Sequence, residues 1–154
     1  MFAEMRRKDR EMTQEETLKL LSGSEYGVLT VVGRNGHPHP VPMSYAWKEG
    51  AIWLHCAKEG SKLDDIRADA KVSFCVVGDT EVLAEKFSTR YASAIVYGDI
   101  SEVSGEAAEA GLFALVEKYS PGFLAEGKAY ISRAVANTCV LRIDVRHMTG
   151  KAQR

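Results

Sequence analysis

The sequence predicts a mostly β protein with a few helices, built on an antiparallel sheet of about six strands that curls toward closure. Three observations carry that expectation. Runs of β-branched and aromatic residues recur along the chain between turn signals, of which Asn35-Gly36 is the clearest. Only one long stretch, residues 105–119, repeats apolar side chains at strong helical spacing. Finally, 154 residues with 45% hydrophobic and 27% charged side chains can bury one core well but hardly two, so residues 1–154 are expected to form a single domain.

In chain order, Thr13 and Glu16 form a capping-box pattern, and Leu18 and Leu21 give the following short helix its apolar side. "GVLTVVGRNGHPHPVPMSYAW" then reads as two antiparallel strands near 27–32 and 38–47 around the Asn35-Gly36 turn. Pro38, Pro40 and Pro42 alternate, so the missing N–H groups fall on one edge and the second strand cannot be paired continuously on both sides. It is expected to leave the sheet there. Lys48, Glu49 and Gly50 turn the chain into "AIWLHC", a third strand. Further strands are "KVSFCVVG", "ASAIVYGDISEVS" and "TCVLRIDVRHMTG". Between the last two, Ala108, Leu112, Leu115, Val116 and Tyr119 mark a substantial helix with Ser104 as N-cap and Ser120-Pro121-Gly122 as its stop. "FLAEGKAYISRAVAN" reads as a weak, broken helix.

A net charge of -1 and a pI near 6.4 give no electrostatic footprint for nucleic acid. The basic opening has no apolar segment behind it, and no apolar run approaches the ~18 residues of a membrane span, so a soluble cytoplasmic protein is expected. "MRRKDRE" reads as a solvated arm, or in a dimer as one that reaches across to the partner's pocket. Cys56, Cys75 and Cys139 are far apart and suggest neither a disulfide framework nor a metal site. Cys75 and Cys139 fall in apolar strand runs, where a buried thiol is usually inert.

"LHCAKEGSKLDDI" carries the chemistry. The Ser61-x-x-Asp64 pattern is a sound N-cap, placing Gly60, Ser61 and Lys62 at the first turn of a short helix after a strand. Orphan amides and the partial positive charge of that turn suit a phosphate, with Lys62 as point charge, Ser61 as donor and Gly60 permitting close approach. The same residues also suit a plain turn with a capping serine and a solvated lysine. The proline strand adds backbone groups at an edge. Along Val41, Pro42, Met43 and Ser44 they could read the polar rim of a flat ring such as an isoalloxazine, with Met43, Trp47 or Trp53 as apolar wall. Each of those apolar residues equally suits ordinary core packing.

Together, "MRRKDREMT", "VPMSY", "GAIWLHCAKEGSKLDDIRADAKVSFCV", "YASAIVYGDI" and "HMTGKA" resemble the pyridoxamine 5′-phosphate oxidase-like FMN-binding split-barrel superfamily. The likeness is strongest to its nitroimidazole-resistance reductase branch, and its most specific parts are H-x-A-x-x-G-x-K from His55 to Lys62 and the M-R-R opening. The resemblance implies a homodimer of six-stranded split barrels with two flavins at the subunit interface. Ser61 and Lys62 match the phosphate-binding element, and Val41, Pro42, Met43 and Ser44 match the segment lining the ring. His55 and Cys56 fall where strand residues approach the ribityl chain and ring edge, and Ser93 stands where the oxidase has a glutamine reaching the flavin. Arg146 and His147 depart from the R-x-H arrangement that grips substrate phosphate in the vitamin oxidases, and His39 replaces an arginine. Oxidation of pyridoxamine phosphate is therefore disfavoured.

The function expected on this basis is transfer of electrons from NAD(P)H through FMN to a small acceptor such as a nitroimidazole, another nitroaromatic or a quinone. FAD and a deazaflavin remain open in place of FMN. His55 is the candidate proton donor or substrate contact, because its ordinary pKa lies near neutrality. The alternatives are a flavin or haem carrier or sensor of the same fold, with His37, His39, His55 and His147 available to a haem iron, and a cofactor-free interaction module.

Overall fold

The computed structural model describes residues 1–154, with every side chain except that of Asp79. The chain runs α1 (Gln14–Gly23), β1 (Gly27–Val32), β2 (Pro38–Met43), β3 (Ala46–Lys48), β4 (Ala51–Cys56), α2 (Ser61–Ala68), β5 (Lys71–Leu83), β6 (Ser88–Val103), α3 (Gly105–Tyr119), α4 (Leu124–Ala134) and β7 (Cys139–Gln153). All strands join one antiparallel sheet in the order β2-β1-β5-β6-β7-β4-β3. The strand expected over 38–47 is therefore two strands on opposite edges of that sheet, joined by Ser44 and Tyr45 alone. So short a link between two edges requires the sheet to curl until they nearly meet.

β2 pairs only with β1, and the pairing uses the amides that exist. His39, Val41 and Met43 face β1 and are half-buried, whereas Pro38, Pro40 and Pro42 are exposed. The outward edge of β2 thus offers carbonyls but no amides, which corrects the expectation that it supplies both. Tyr45 secures the break. Its ring is fully buried and edge-on to Phe74, its hydroxyl donates to the Leu21 carbonyl, and its amide donates to the Tyr119 hydroxyl at 3.0 Å. Tyr119 in turn donates to the Glu25 carbonyl, and Lys118 Nζ donates to the Tyr45 carbonyl at 2.9 Å.

Turns follow local chemistry. Glu49 and Gly50, with φ of 53° and 75°, form the two-residue connection that the right-handed strand twist favours. Around Asn35-Gly36 only Gly36 has positive φ, because the loop is one residue longer: the Gly33 amide donates to the His37 carbonyl. β5 and β6 extend beyond their expected ends into a long hairpin, with a register shift between Gly78 and Glu81. A second shift falls at Gly98, where an added Cβ would strike the Asp144 carbonyl. Such irregularities sharpen twist and bend the sheet.

Alternation along β4 and β7 divides the core. Ile52, Leu54, Leu141 and Ile143 face the barrel interior with Leu29, Phe74, Val76 and Val96. Ala51, Trp53 and Val140 face outward against Ala108, Leu112 and Leu115 of α3 and Ile131 of α4. Trp53 is 6% exposed and donates to the Lys48 carbonyl at 3.2 Å, so it is core beneath α3 and no ring wall. Trp47 packs at the edge of the interior core. Ser104 stands at the N-cap of α3, but its side chain makes no capping bond. α4 is continuous, flanked by 3-10 turns at Pro121–Phe123 and Val135–Asn137. Among the described residues, no helix is long and apolar enough to cross a membrane.

Candidate functional site

The bend after β4 forms as expected, with one correction. The N-cap of α2 is Gly60 at φ 145°, no side chain caps the helix, and Ser61 is its first helical residue. A capping serine needs ordinary extended backbone at that position; here only glycine fits the turn, and the space where its Cβ would lie is open. Ser61 is therefore exposed with its hydroxyl uncommitted to capping, and the first-turn amides remain for an external acceptor. Lys62 is half-buried and turns back toward the proline strand, with Nζ 3.8 Å from Met43 Sδ. A glycine bend, a serine, a lysine and orphan amides fit an anionic group.

His55 and Ser44 meet in a second feature. Both line a cavity of about 460 Å³ whose other walls are chiefly apolar side chains of α3, α4 and the 3-10 turn between them, including Leu115, Tyr119, Phe123 and Tyr130. His55 is exposed on the outer face of β4, yet partial burial of its imidazole, and then the Lys62 cation, lowers its pKa, so the ring is held neutral to lower pH than usual. The Lys62 charge felt at His55 connects the cavity with the bend. Cys56, the next residue, points to the opposite face of β4 and packs on the interior core. The two residues expected near the ribityl chain and ring edge therefore face opposite sides of β4.

The aromatic walls escaped the sequence reading. Phe123, Gly127, Tyr130, Ile131 and Ala134 recur at helical spacing, but Gly127 and the flanking polar residues obscured the pattern. Gly127 has a packing role: a Cβ there would strike Val116 of α3.

Other sequence candidates lie elsewhere. Ser93 is on the outer face of β6, in a cavity of about 410 Å³ beneath the N-terminal segment with Phe2, Tyr97, His147 and Lys151. Within one chain it does not meet Ser44, His55 or Lys62. The N-terminal segment is more than a solvated arm: the Met12 amide donates to the Gly150 carbonyl at 2.9 Å, and Phe2 stacks on His147 with centroids 4.8 Å apart. Arg146 pairs with Asp99. His39 approaches Asp65, whose carboxylate also accepts from the Arg34 backbone at 3.1 Å and Arg34 Nε at 2.8 Å. Among the described residues, no group of three or more potential ligands could hold a metal ion.

Comparison with known proteins agrees with this architecture. A family model described as pyridoxamine 5′-phosphate oxidase matches residues 13–152. Among curated proteins, none matches the chain. A solved structure of a suspected 5-nitroimidazole antibiotic resistance protein from Bacteroides thetaiotaomicron superposes with a TM-score of 0.81 at 20% identity, over 92% of this chain and 86% of that one. A FAD and haem binding protein from Mycobacterium smegmatis gives 0.83 at 22% identity, over 94% of this chain and 74% of that one. The flavocytochrome Anf3 from Azotobacter vinelandii gives 0.82 at 16% identity, over 98% and 72%. These likenesses show the fold, a curled antiparallel split barrel. With the model match spanning nearly the whole chain, the protein belongs to the pyridoxamine 5′-phosphate oxidase family.

Proposed function

We propose that this chain is a flavin-dependent oxidoreductase that binds FMN and passes electrons from a reduced nicotinamide to a small, flat acceptor such as a nitroimidazole, another nitroaromatic or a quinone. The observation that carries the reading is the convergence of two features: an anion-fitting bend at Gly60, Ser61 and Lys62, and an apolar, aromatic-walled cavity opened by Ser44 and His55. Lys62 reaches toward Met43, and its charge lowers the His55 pKa. Bound there, the flavin supplies the electron-transfer chemistry.

The chain's own residues have distinct tasks in this reading. Ser61 and Lys62 hold the phosphate. Val41, Pro42, Met43 and Ser44 line the ring: carbonyls on the outward edge of β2 receive donors of its rim, and Ser44 has the first amide beyond the prolines on that edge. The α3 and α4 side chains exclude water and hold the acceptor, while neutral His55 orients it or moves a proton. Cys56, on the opposite face, supports the strand end. Ser93 serves the site of a second copy. The outer faces of β5 and β6 expose Val77, Ile95 and Tyr97 near Ser93, an apolar surface suited to a homodimer with flavin at the interface.

Two variants test the assignment. Ser61→Ala with Lys62→Ala is expected to lose flavin during gel filtration, since a charge-assisted contact contributes about 1.5–3 kcal/mol. His55→Ala is expected to retain flavin and lose nitroreductase turnover. Full flavin retention by the double variant would remove the bend from the site, and unchanged turnover in His55→Ala would remove the histidine.

A further inference from the structure

Cys56 and Cys139 stand directly opposite each other at the last rung of the β4–β7 ladder. Opposed residues of an antiparallel pair share a face, with Cα atoms about 4.5–5.5 Å apart, inside the roughly 4.4–6.8 Å that a disulfide spans. The backbone already has the spacing for a bridge. Both thiols are free, Cys56 half-buried and Cys139 8% exposed. Cys139 also lines a cavity of about 670 Å³ with Lys58, Arg67 and Glu102. Its Sγ lies 3.6 Å from Glu102 Oε1, and that carboxylate is held by Arg67 at 2.8 Å.

We infer that Cys56 and Cys139 form an oxidation site for hydrogen peroxide, closing a cross-strand disulfide at the base of the bend. Cys56 is the more accessible thiol and reacts first. Its sulfur bonds one peroxide oxygen, the O–O bond breaks, water leaves and a sulfenic acid forms. Cys139 then attacks that sulfur: the S–S bond forms, the S–O bond breaks, and the Cys139 proton passes through Glu102 to the departing hydroxide as a second water. Overall, two thiols and one peroxide give one disulfide and two waters. Burial, and then its neighbours Cys56 and Glu102, push the Cys139 thiol up. Nothing in this inference depends on the flavin reading.

The test uses the full-length protein, treated with peroxide, alkylated without reductant and mapped by mass spectrometry. The expected product is an intramolecular Cys56–Cys139 peptide, with Cys75 still alkylated as the internal control. In Cys139→Ser, a sulfenic acid trapped by dimedone should accumulate at Cys56. In Glu102→Gln, disulfide closure should slow several-fold while Cys56 oxidation keeps its rate. Over-oxidation of wild-type Cys56 with Cys139 left free, or a bridge to Cys75 instead, would overturn the assignment. Equal closure rates in Glu102→Gln would overturn the carboxylate's part in it.

Discussion

Lys62 acts on His55 through its charge, and that coupling can be read directly. In the flavin-free protein, proton NMR should show His55 titrating below the ordinary value of about 6.5, and Lys62→Ala should move it upward. A His55 titration unmoved by Lys62→Ala would separate the bend from the cavity. The glycine bend carrying Ser61 and Lys62 was legible in the sequence because it is local, set by a strand, a glycine and a helix start within one short segment; that Ser44 and His55 line one cavity was not. The part of Tyr119 was illegible for the opposite reason. It read as one apolar position on a helix, whereas its hydroxyl meets backbone groups of Tyr45 and Glu25, far away in sequence.

α2 holds its place through Asp65, buried yet satisfied by the Arg34 amide and guanidinium. The Arg34 side-chain hydrogen bond, followed by the Arg34 amide, lowers the Asp65 pKa. A carboxyl depressed in the folded state contributes stability above its unfolded value of about 3.9 and loses that contribution as pH falls toward the folded value. Asp65→Asn should therefore unfold at lower denaturant than wild type at neutral pH, with the gap narrowing below about pH 4. A gap constant with pH would mean the ion pair is not responsible. α1 docks through Gly150 of β7, where an added Cβ would strike the Thr17 hydroxyl. Gly150→Val should lower the thermal midpoint while leaving the far-ultraviolet spectrum of a β protein. At this scale the capping box was read correctly, with the Glu16 amide donating to Thr13 Oγ1 at 3.1 Å. The same kind of reading failed at Ser61, where a glycine at positive φ precedes the serine and takes the cap position.

The whole molecule depends on the two-residue passage from one sheet edge to the other. Tyr45 and Tyr119 hold that passage, and Tyr119→Phe leaves the Tyr45 amide without its acceptor, at a cost of about 1–3 kcal/mol in urea unfolding. A loss much smaller than this would mean that water replaces the hydroxyl. The alternating prolines announced that the strand must leave the sheet, but not where it would rejoin. Edge order is set by long-range pairing, and alternation along 38–47 is the same whichever edge its second half occupies. The aromatic cavity was hidden for the same reason, since it exists only once α3 and α4 pack over β4. The most direct measurement of the account is the absorption spectrum of the freshly purified protein, repeated after adding FMN and then NADH or NADPH without oxygen. The expected result is a yellow protein, or one that takes up FMN stoichiometrically, whose flavin bands bleach on reduction and return with a nitroaromatic acceptor. A colourless protein indifferent to FMN, or one showing a haem Soret band in place of flavin, would contradict it.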